Sequence, residues 1–485
     1  MPQVSQPVVM SIELCTQVNG QQRPRFFVVP NIAGASSSTA TRASSTSTSA
    51  GAIPSVEVPS GGVEVDMGNG LGTWNSLQPL DNGGTLQVRT SLGATTGTWN
   101  FRVGLSTGSP LHSVSDETTL FGDSSSTTAV LFSPPIPNTG VAFTEPTFPQ
   151  YNLPDATPSI PSPPQDITAI NNSLIIIPTN LLLTADSAQR SDLTSSACFL
   201  QTLSNTSFSG DPFFKISSTP VLRNQAEGWR TQFLLDGLGQ STNYTIYTLR
   251  TSQSESTLSQ PTYIKTKSTA FPCTLVHSLP FCPSVSWTAP LPSLGDNPST
   301  YGNNNFPPNL RDMILNSLGN FTASLKTFPC GRDLYSIVQT CASCERAYRN
   351  WVCSTLIPRC GEVDTSTSAV PIDPPPALVP RKVGTSNTTS TFARLDQTIF
   401  GTTDSTVTEY TELLPCLETC HSVDRACPPM LQWTCPRKGI SADKSYGVGF
   451  IDREGDDVSG GGKEGAGTTG KSQDGFGNVW CNGIV

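Results

Sequence analysis

The sequence predicts a multidomain protein in which N-terminal β-sandwich-like modules precede a mainly helical, disulfide-rich domain. Three observations lead there. Gly and Pro together supply 81 of 485 positions (40 Gly, 41 Pro) and charged residues only 13%, a mix that favours short strands and turns over long helices. Short apolar runs bounded by Gly, Pro, Asn or Ser recur through the first 270 residues. Twelve of the fourteen Cys fall between Cys273 and Cys481, where helical periodicity also begins. The length exceeds what one hydrophobic core organises, so several domains are expected.

The first module, 4–145, has strand-like runs at Val8–Leu14, Phe26–Val29, Val63–Met67, Leu86–Arg89, Thr98–Leu105 and Ala129–Phe132. Residues 36–49 hold eleven Ser or Thr in fourteen positions and read as an unfolded, O-glycosylatable loop, because they cannot bury enough apolar surface. A Pro-rich linker, 146–164, follows. The second module, 165–268, is expected to be a fibronectin type III-like sandwich, with strands at Ser173–Ile177, Leu181–Thr184, Ala197–Leu203, Trp229–Leu234, Tyr244–Arg250 and Thr262–Lys265. Within it, the stretch from Leu235 to Tyr247 has the pattern of a tyrosine corner, with Tyr244 as the residue whose hydroxyl bonds back to the backbone; the alternative is a generic strand start. Cys15 and Cys198 are the only cysteines of the two modules. They either pair with each other or are two buried, unpaired thiols.

From 269 to 450 the chain reads as the cysteine-rich domain, with a disordered insertion at 361–395, and 451–485 reads as a Gly-rich tail that returns near Cys481. Residues 309–328 put Leu310, Ile314, Leu318, Phe321 and Leu325 on one helical side and Asp312, Asn316 and Asn320 on the other. In a helix through Cys341, Cys344, Tyr348 and Trp351 these four share a face, with Arg346 and Arg349 off it. Leu417, Cys420, Val423 and Cys427 form a second stripe after Pro415.

An even count of clustered cysteines implies disulfides, formed in an oxidising compartment. The structural set is Cys273, Cys282, Cys330, Cys341, Cys344, Cys353, Cys360, Cys416, Cys420, Cys427, Cys435 and Cys481, with connectivity open. Asn-x-Ser/Thr sequons at Asn171, Asn205, Asn243, Asn320 and Asn387 point to the same secretory route. The N-terminus, MPQVSQPVVMSIELC, lacks a leader's basic flank and apolar stretch, so a leader is expected to be missing from this chain. The longest apolar runs, such as Leu174–Ile177, fall far short of the ~18 residues a bilayer crossing needs, and VWCNGIV at the C-terminus lacks a lipid-anchor signal. A net charge of -9 with no Lys/Arg block removes nucleic acid and anionic membrane as partners.

The spacing of Cys330, Cys341, Cys344, Cys353, Cys360, Cys416, Cys420, Cys427 and Cys435, with Ala-Tyr-Arg-Asn-Trp before Cys353 and Cys-Pro-Pro at 427–429, resembles the frizzled-like cysteine-rich domain of the fungal mating-induced-death family. That family is also called the stretch-activated calcium-channel component. The opening VVMSIELCTQ, the Trp-Asn-Phe-Arg-Val-Gly strand and Thr-Asn-Tyr-Thr-Ile-Tyr resemble it too. The resemblance implies a regulatory subunit of a pore-forming four-repeat calcium channel, at the extracellular face of the plasma membrane, that promotes calcium influx.

Rival chemistries are weaker. Cys341-x-x-Cys344 and Cys416-x-x-x-Cys420-His421 have zinc-like spacing, but secretory thiols oxidise and no second Cys-x-x-Cys accompanies the first, so no metal is expected. No cofactor or catalytic residue is expected either: His112, His277 and His421 are the only histidines, and no nucleophile elbow, zinc-protease helix or phosphate loop is present. A lipid- or ligand-binding receptor ectodomain is the alternative function, with Tyr335, Tyr348 and Trp351 lining a groove rather than filling a core. The acidic tract of Asp452, Glu454, Asp456 and Asp457 lacks the ligand order of a calcium loop.

Overall fold

The computed structural model describes residues 6–16, 24–31, 58–76, 78–80, 83–89, 99–140, 162–164, 167, 170–182, 193–208, 214–224, 227–252, 255–295, 299–330, 334–362, 376–384, 393–396, 409–437, 441–449, 472–474 and 477–483. The Ser/Thr-rich stretch 36–49, most of the Pro-rich linker and of the insertion at 361–395, Asn387 and the acidic tract lie outside them. The chain forms two units, each assembled from separated stretches: residues 1–117, 168–210 and 245–260 in the first, and 118–167, 211–244 and 261–485 in the second.

In the first unit, alternation of side chains along each strand builds a sandwich. Val9–Leu14 lies between Leu71–Asn75 and Phe101–Ser106, antiparallel to both. Arg25–Pro30 lies between Val63–Val65 and Gly84–Arg89. Met10 and Ile12 from one sheet meet Phe26, Val28 and Val65 from the other, all buried. A further sheet orders Ile170–Pro178, Asn243–Ser252, Glu255–Gln260 and His112–Thr118.

The segment expected as a strand at Ala197–Leu203 is instead a helix, α1 (Ala197–Ser207). Ser196 caps it, its Oγ accepting from the Phe199 amide at 3.3 Å and donating to the Leu14 carbonyl at 2.8 Å, while the Ala197 amide donates to the Glu13 carboxylate at 3.2 Å. Both contacts give partners to amides at the helix start that the helix itself cannot satisfy. The α1 residues Ala197, Phe199 and Leu200 then pack on Ile175, Ile177, Leu249 and Leu258 of the sheet. Cys15 and Cys198, beside this cap, are joined by a disulfide. Leu181 likewise sits in a short helical turn, Thr179–Leu182, rather than a strand.

The second unit contains a four-stranded sheet ordered Lys215–Asn224, Gly228–Asp236, Ala129–Phe132 and Leu120–Ser124. At the end of its long strand the Gly239 amide donates to the Tyr244 hydroxyl at 2.8 Å, the bond of a tyrosine corner. Gly239 is exposed, so in Tyr244→Phe water can reach its amide, and the loss of the bond is expected to lower stability by about 0.5–1.5 kcal/mol, read from the midpoint shift in guanidinium unfolding; an unchanged midpoint would mean that water replaces the hydroxyl at no cost.

The C-terminal part of this unit corrects the expectation of a mainly helical domain. Helices α2 (Pro308–Leu325) and α3 (Cys341–Leu356) follow one another, and four strands separate them from α4 (Leu417–Ala426). Thr274–Val276 pairs with Trp287–Ala289, and a four-stranded sheet orders Arg359–Cys360, Glu409–Leu413, Leu378–Gly384 and Ala393–Asp396. Across the described chain strand outweighs helix. Leu378–Gly384 and most of Ala393–Asp396 form strands within the stretch 361–395 expected as a disordered insertion, while Arg359–Cys360 and Glu409–Leu413 lie in the cysteine-rich domain outside it; each is only two to seven residues long, too short for a period to show.

Candidate functional site

The cysteine-rich region is built around α3. Thr340 opens the helix with a reciprocal capping box: its Oγ1 accepts from the Ser343 amide at 3.1 Å, and the Thr340 amide donates to Ser343 Oγ at 2.9 Å. Three of the seven disulfides then hold this one helix. Cys341 bonds Cys330 and Cys344 bonds Cys427 at its first turn, and Cys353 bonds Cys282 at its last. Cys273–Cys360, Cys416–Cys481 and Cys420–Cys435 complete the set, so with Cys15–Cys198 no cysteine is free.

The faces follow the helical period with one exception. Cys341, Cys344 and Val423 are buried together with Leu325, Ala347, Ala426 and Cys427. Arg349, expected off the stripe, is 6% exposed. Its guanidinium donates to the Phe281 carbonyl at 2.8 Å and pairs with Glu345 one turn back. A buried charge is tolerated only with such partners, and the partner carbonyl comes from a segment sixty-eight residues away, which a helical-period argument does not see.

Tyr335, Tyr348 and Trp351 are all partly buried around this cluster. Tyr348 stacks on Phe321 with ring centroids 3.6 Å apart, and Trp433 meets Tyr348 and Trp351 edge-on at 5.8 and 4.8 Å. Trp351 Nε1 donates to the Tyr446 hydroxyl at 2.8 Å. The edge-on contacts of Trp433 have the geometry aromatic pairs prefer, and the rings cover one another's faces. Trp433 and Tyr446 complete the cluster, which the sequence reaches only through Phe321, Tyr335, Tyr348 and Trp351.

Every sulfur with zinc-like spacing is committed to a disulfide, so it offers no thiolate for a metal. Cys416 and Cys481 lie close to Glu418, yet they are bonded to each other. The histidines are structurally occupied or exposed. His112 Nδ1 is 2.9 Å from Ser11 Oγ, but Ser11 is fully buried, out of reach of a substrate. Burial pushes the His277 imidazole down to about 4, and it hydrogen-bonds Ser278 and Thr300. His421 is exposed on α4. Asn171, Asn205, Asn243 and Asn320 are exposed, as glycan carriers must be. Among the described residues no helix is long and apolar enough to cross a membrane.

Residues 8–459 match the profile of the Mid1 family, the stretch-activated Ca2+-permeable channel component. The chain belongs to this family. A stretch-activated cation channel MID1 of Cryptococcus neoformans var. grubii is 32% identical over 462 residues, covering 86% of this chain and 68% of the relative. A stretch-activated cation channel yam8 of Schizosaccharomyces pombe is 28% identical over 47% of this chain and 43% of its own length. A MID1 protein of Saccharomyces cerevisiae is 29% identical over 44% of this chain and 36% of its own. No solved structure matches. Family members are channel components rather than enzymes, and the chain's role is accordingly calcium-channel-related.

Proposed function

We propose that this chain is the extracellular accessory subunit of a plasma-membrane calcium channel, docking on a pore-forming four-repeat subunit and promoting calcium influx. The observation that carries the reading is the triply stapled α3 within a seven-disulfide chain of a channel-component family. Such a scaffold holds a surface rigid, and preorganisation lowers the entropic cost of docking. Oxidised cysteines and exposed sequons support an extracellular setting. The described elements supply a scaffold and contain no long apolar helix, which favours an accessory subunit over a pore.

The test is affinity purification of the tagged full chain from fungal membranes in mild detergent. A large multi-span channel polypeptide is expected to co-purify, and deletion of the chain to reduce calcium influx. No channel recovered, with influx unchanged on deletion, sinks the proposal.

A further inference from the structure

Side chains along Val9–Leu14 alternate between the two faces of its sheet. Met10 and Ile12 enter the sandwich core, so Ser11 and Glu13 share the opposite face. Both are buried there, Glu13 with only 3% of its surface exposed. Acidic side chains are seldom buried so fully unless every oxygen has a partner, and Glu13 departs from that rule. One oxygen, Oε1, accepts from the Ala197 amide at the start of α1 at 3.2 Å. The other, Oε2, is sealed from solvent with no hydrogen-bond partner among the described residues.

The charges that reach this carboxyl come from two of the elements packed on the same face. Arg102 stands directly opposite Glu13 in the register of Phe101–Ser106, with its own side chain exposed. His112, at the start of His112–Thr118, is held on Ser11, whose Oγ lies 2.9 Å from the ring Nδ1 and accepts from the His112 amide at 3.1 Å. Leu71, opposite Glu13 on the other neighbouring strand, brings no charge, and α1 contributes only the amides of its first turn. Burial raises the Glu13 carboxyl above the ordinary carboxylate range, and the opposing pulls of His112, the Ala197 amide, Arg102 and the Cys198 amide do not cancel it.

Glu13 sits at a junction. It caps the helix whose Ala197, Phe199 and Leu200 pack on Ile175, Ile177, Leu249 and Leu258. Two residues further on, Cys15 is bonded to Cys198 in the first turn of the same helix. The disulfide keeps α1 attached to the strand, so the charge on Glu13 acts on how closely the first turn seats and not on whether the helix leaves.

We propose that Glu13 is an acid-responsive latch of the first unit: a proton taken up by its carboxyl removes an uncompensated buried charge and tightens α1 against Val9–Leu14, and ionisation loosens it. The latch does not depend on the accessory-subunit reading and adds a proton-sensitive element to the fold. Its sign follows from linkage. A carboxyl raised in the folded state binds its proton more tightly folded than unfolded, so its contribution to stability is full below the unfolded value of 4.5 and is lost as pH rises through the folded value.

The experiment compares the full wild-type chain with Glu13→Gln, which keeps the shape of the neutral acid and does not ionise. Hydrogen exchange of the first turn of α1, corrected for the intrinsic pH dependence of exchange, is followed with the melting temperature from about pH 4 to about pH 8, a range that spans the ordinary carboxylate and imidazole values. Wild-type protection is expected to rise as pH falls, and protection in Glu13→Gln to stay level. The variant is expected to melt above wild type at the alkaline end, with the gap closing in acid. Level protection in wild type, or the same pH dependence in both chains, overturns the latch; the second result places the proton on His112 or elsewhere. Arg102→Gln, a change at an exposed side chain, keeps the test decisive if Glu13→Gln does not fold. It removes one opposing charge and is expected to move the wild-type profile to higher pH, and an unmoved profile assigns the proton to a group other than Glu13.

Discussion

Arg359→Met is expected to destabilise the protein by about 3–5 kcal/mol, the cost of leaving one charge of a buried pair alone. Arg359 and Asp123 are each 2% exposed, with Nε 3.0 Å from the carboxylate. Asp123 also accepts from the Thr288 amide at 3.1 Å and hydroxyl at 3.0 Å, and Arg359 donates to the Gly122 carbonyl at 3.0 Å. The pair therefore ties the strand Leu120–Ser124 to the strand Trp287–Ala289 and to the disulfide-bearing Arg359–Cys360 within the second unit. Burial alone would raise the Asp123 carboxyl, but Arg359, Lys267 and the amides of Thr288 and Ser124 outweigh it and hold it below the ordinary carboxylate range.

The sign of the pH effect follows from that direction. A carboxyl depressed in the folded state contributes stability that is present above its unfolded value near 4 and is lost as pH falls through the lower folded value. In Arg359→Met this contribution is removed, so the variant and wild type should converge in stability as pH falls below about 4. Guanidinium unfolding at pH 7 and in acid provides the measurement. Because a buried pair can often be exchanged for apolar groups at little cost, Asp123→Leu/Arg359→Met should recover part of the loss. A double variant no better than Arg359→Met would show that the hydrogen bonds of Asp123 to Thr288, and not the charge pairing, dominate.

Cys344→Ser/Cys427→Ser is expected to cost about 4.5 kcal/mol, the chain-entropy value for a closed loop of its size; the two cysteines are 83 residues apart. This bridge joins the first turn of α3 to the end of α4, and its sulfurs sit inside the cluster of Leu325, Ala347 and Val423, so polar hydroxyls there add a desolvation cost. Cys330→Ser/Cys341→Ser closes a separation of only 11 residues and should cost less, about 3 kcal/mol. Secreted yield and unfolding midpoints of the two variants should fall in that order. Equal losses would mean that native strain, rather than the unfolded chain, sets the contribution of these bridges.

Several strands in both units are legible as apolar runs bounded by turn residues: Ala129–Phe132 in the second unit to the residue, and Val9–Leu14 and Arg25–Pro30 in the first within one residue at each end. The strand Lys215–Asn224 is not, because its residues from Lys215 to Pro220 are all exposed and carry no apolar alternation. Helix α1 was misread since Cys198-Phe199-Leu200 is a continuous apolar run, which length and period cannot assign. Its cap comes from Glu13 and Ser196, far apart in the chain.

At the candidate site the helices of the two cysteine segments and the commitment of their sulfurs to disulfides were readable from the sequence alone. Cysteine count, spacing and apolar period are local properties. Three things waited for the tertiary structure. Which sulfur meets which depends on the approach of segments up to 183 residues apart, and spacing does not encode it. The burial of Arg349 and Arg359 depends on carbonyls and a carboxylate supplied by distant strands. The exposure of Ile337 and Val338 depends on Tyr335 reaching the end of α4; read as sequence, Leu-Tyr-Ser-Ile-Val is simply another apolar run that ought to be inside.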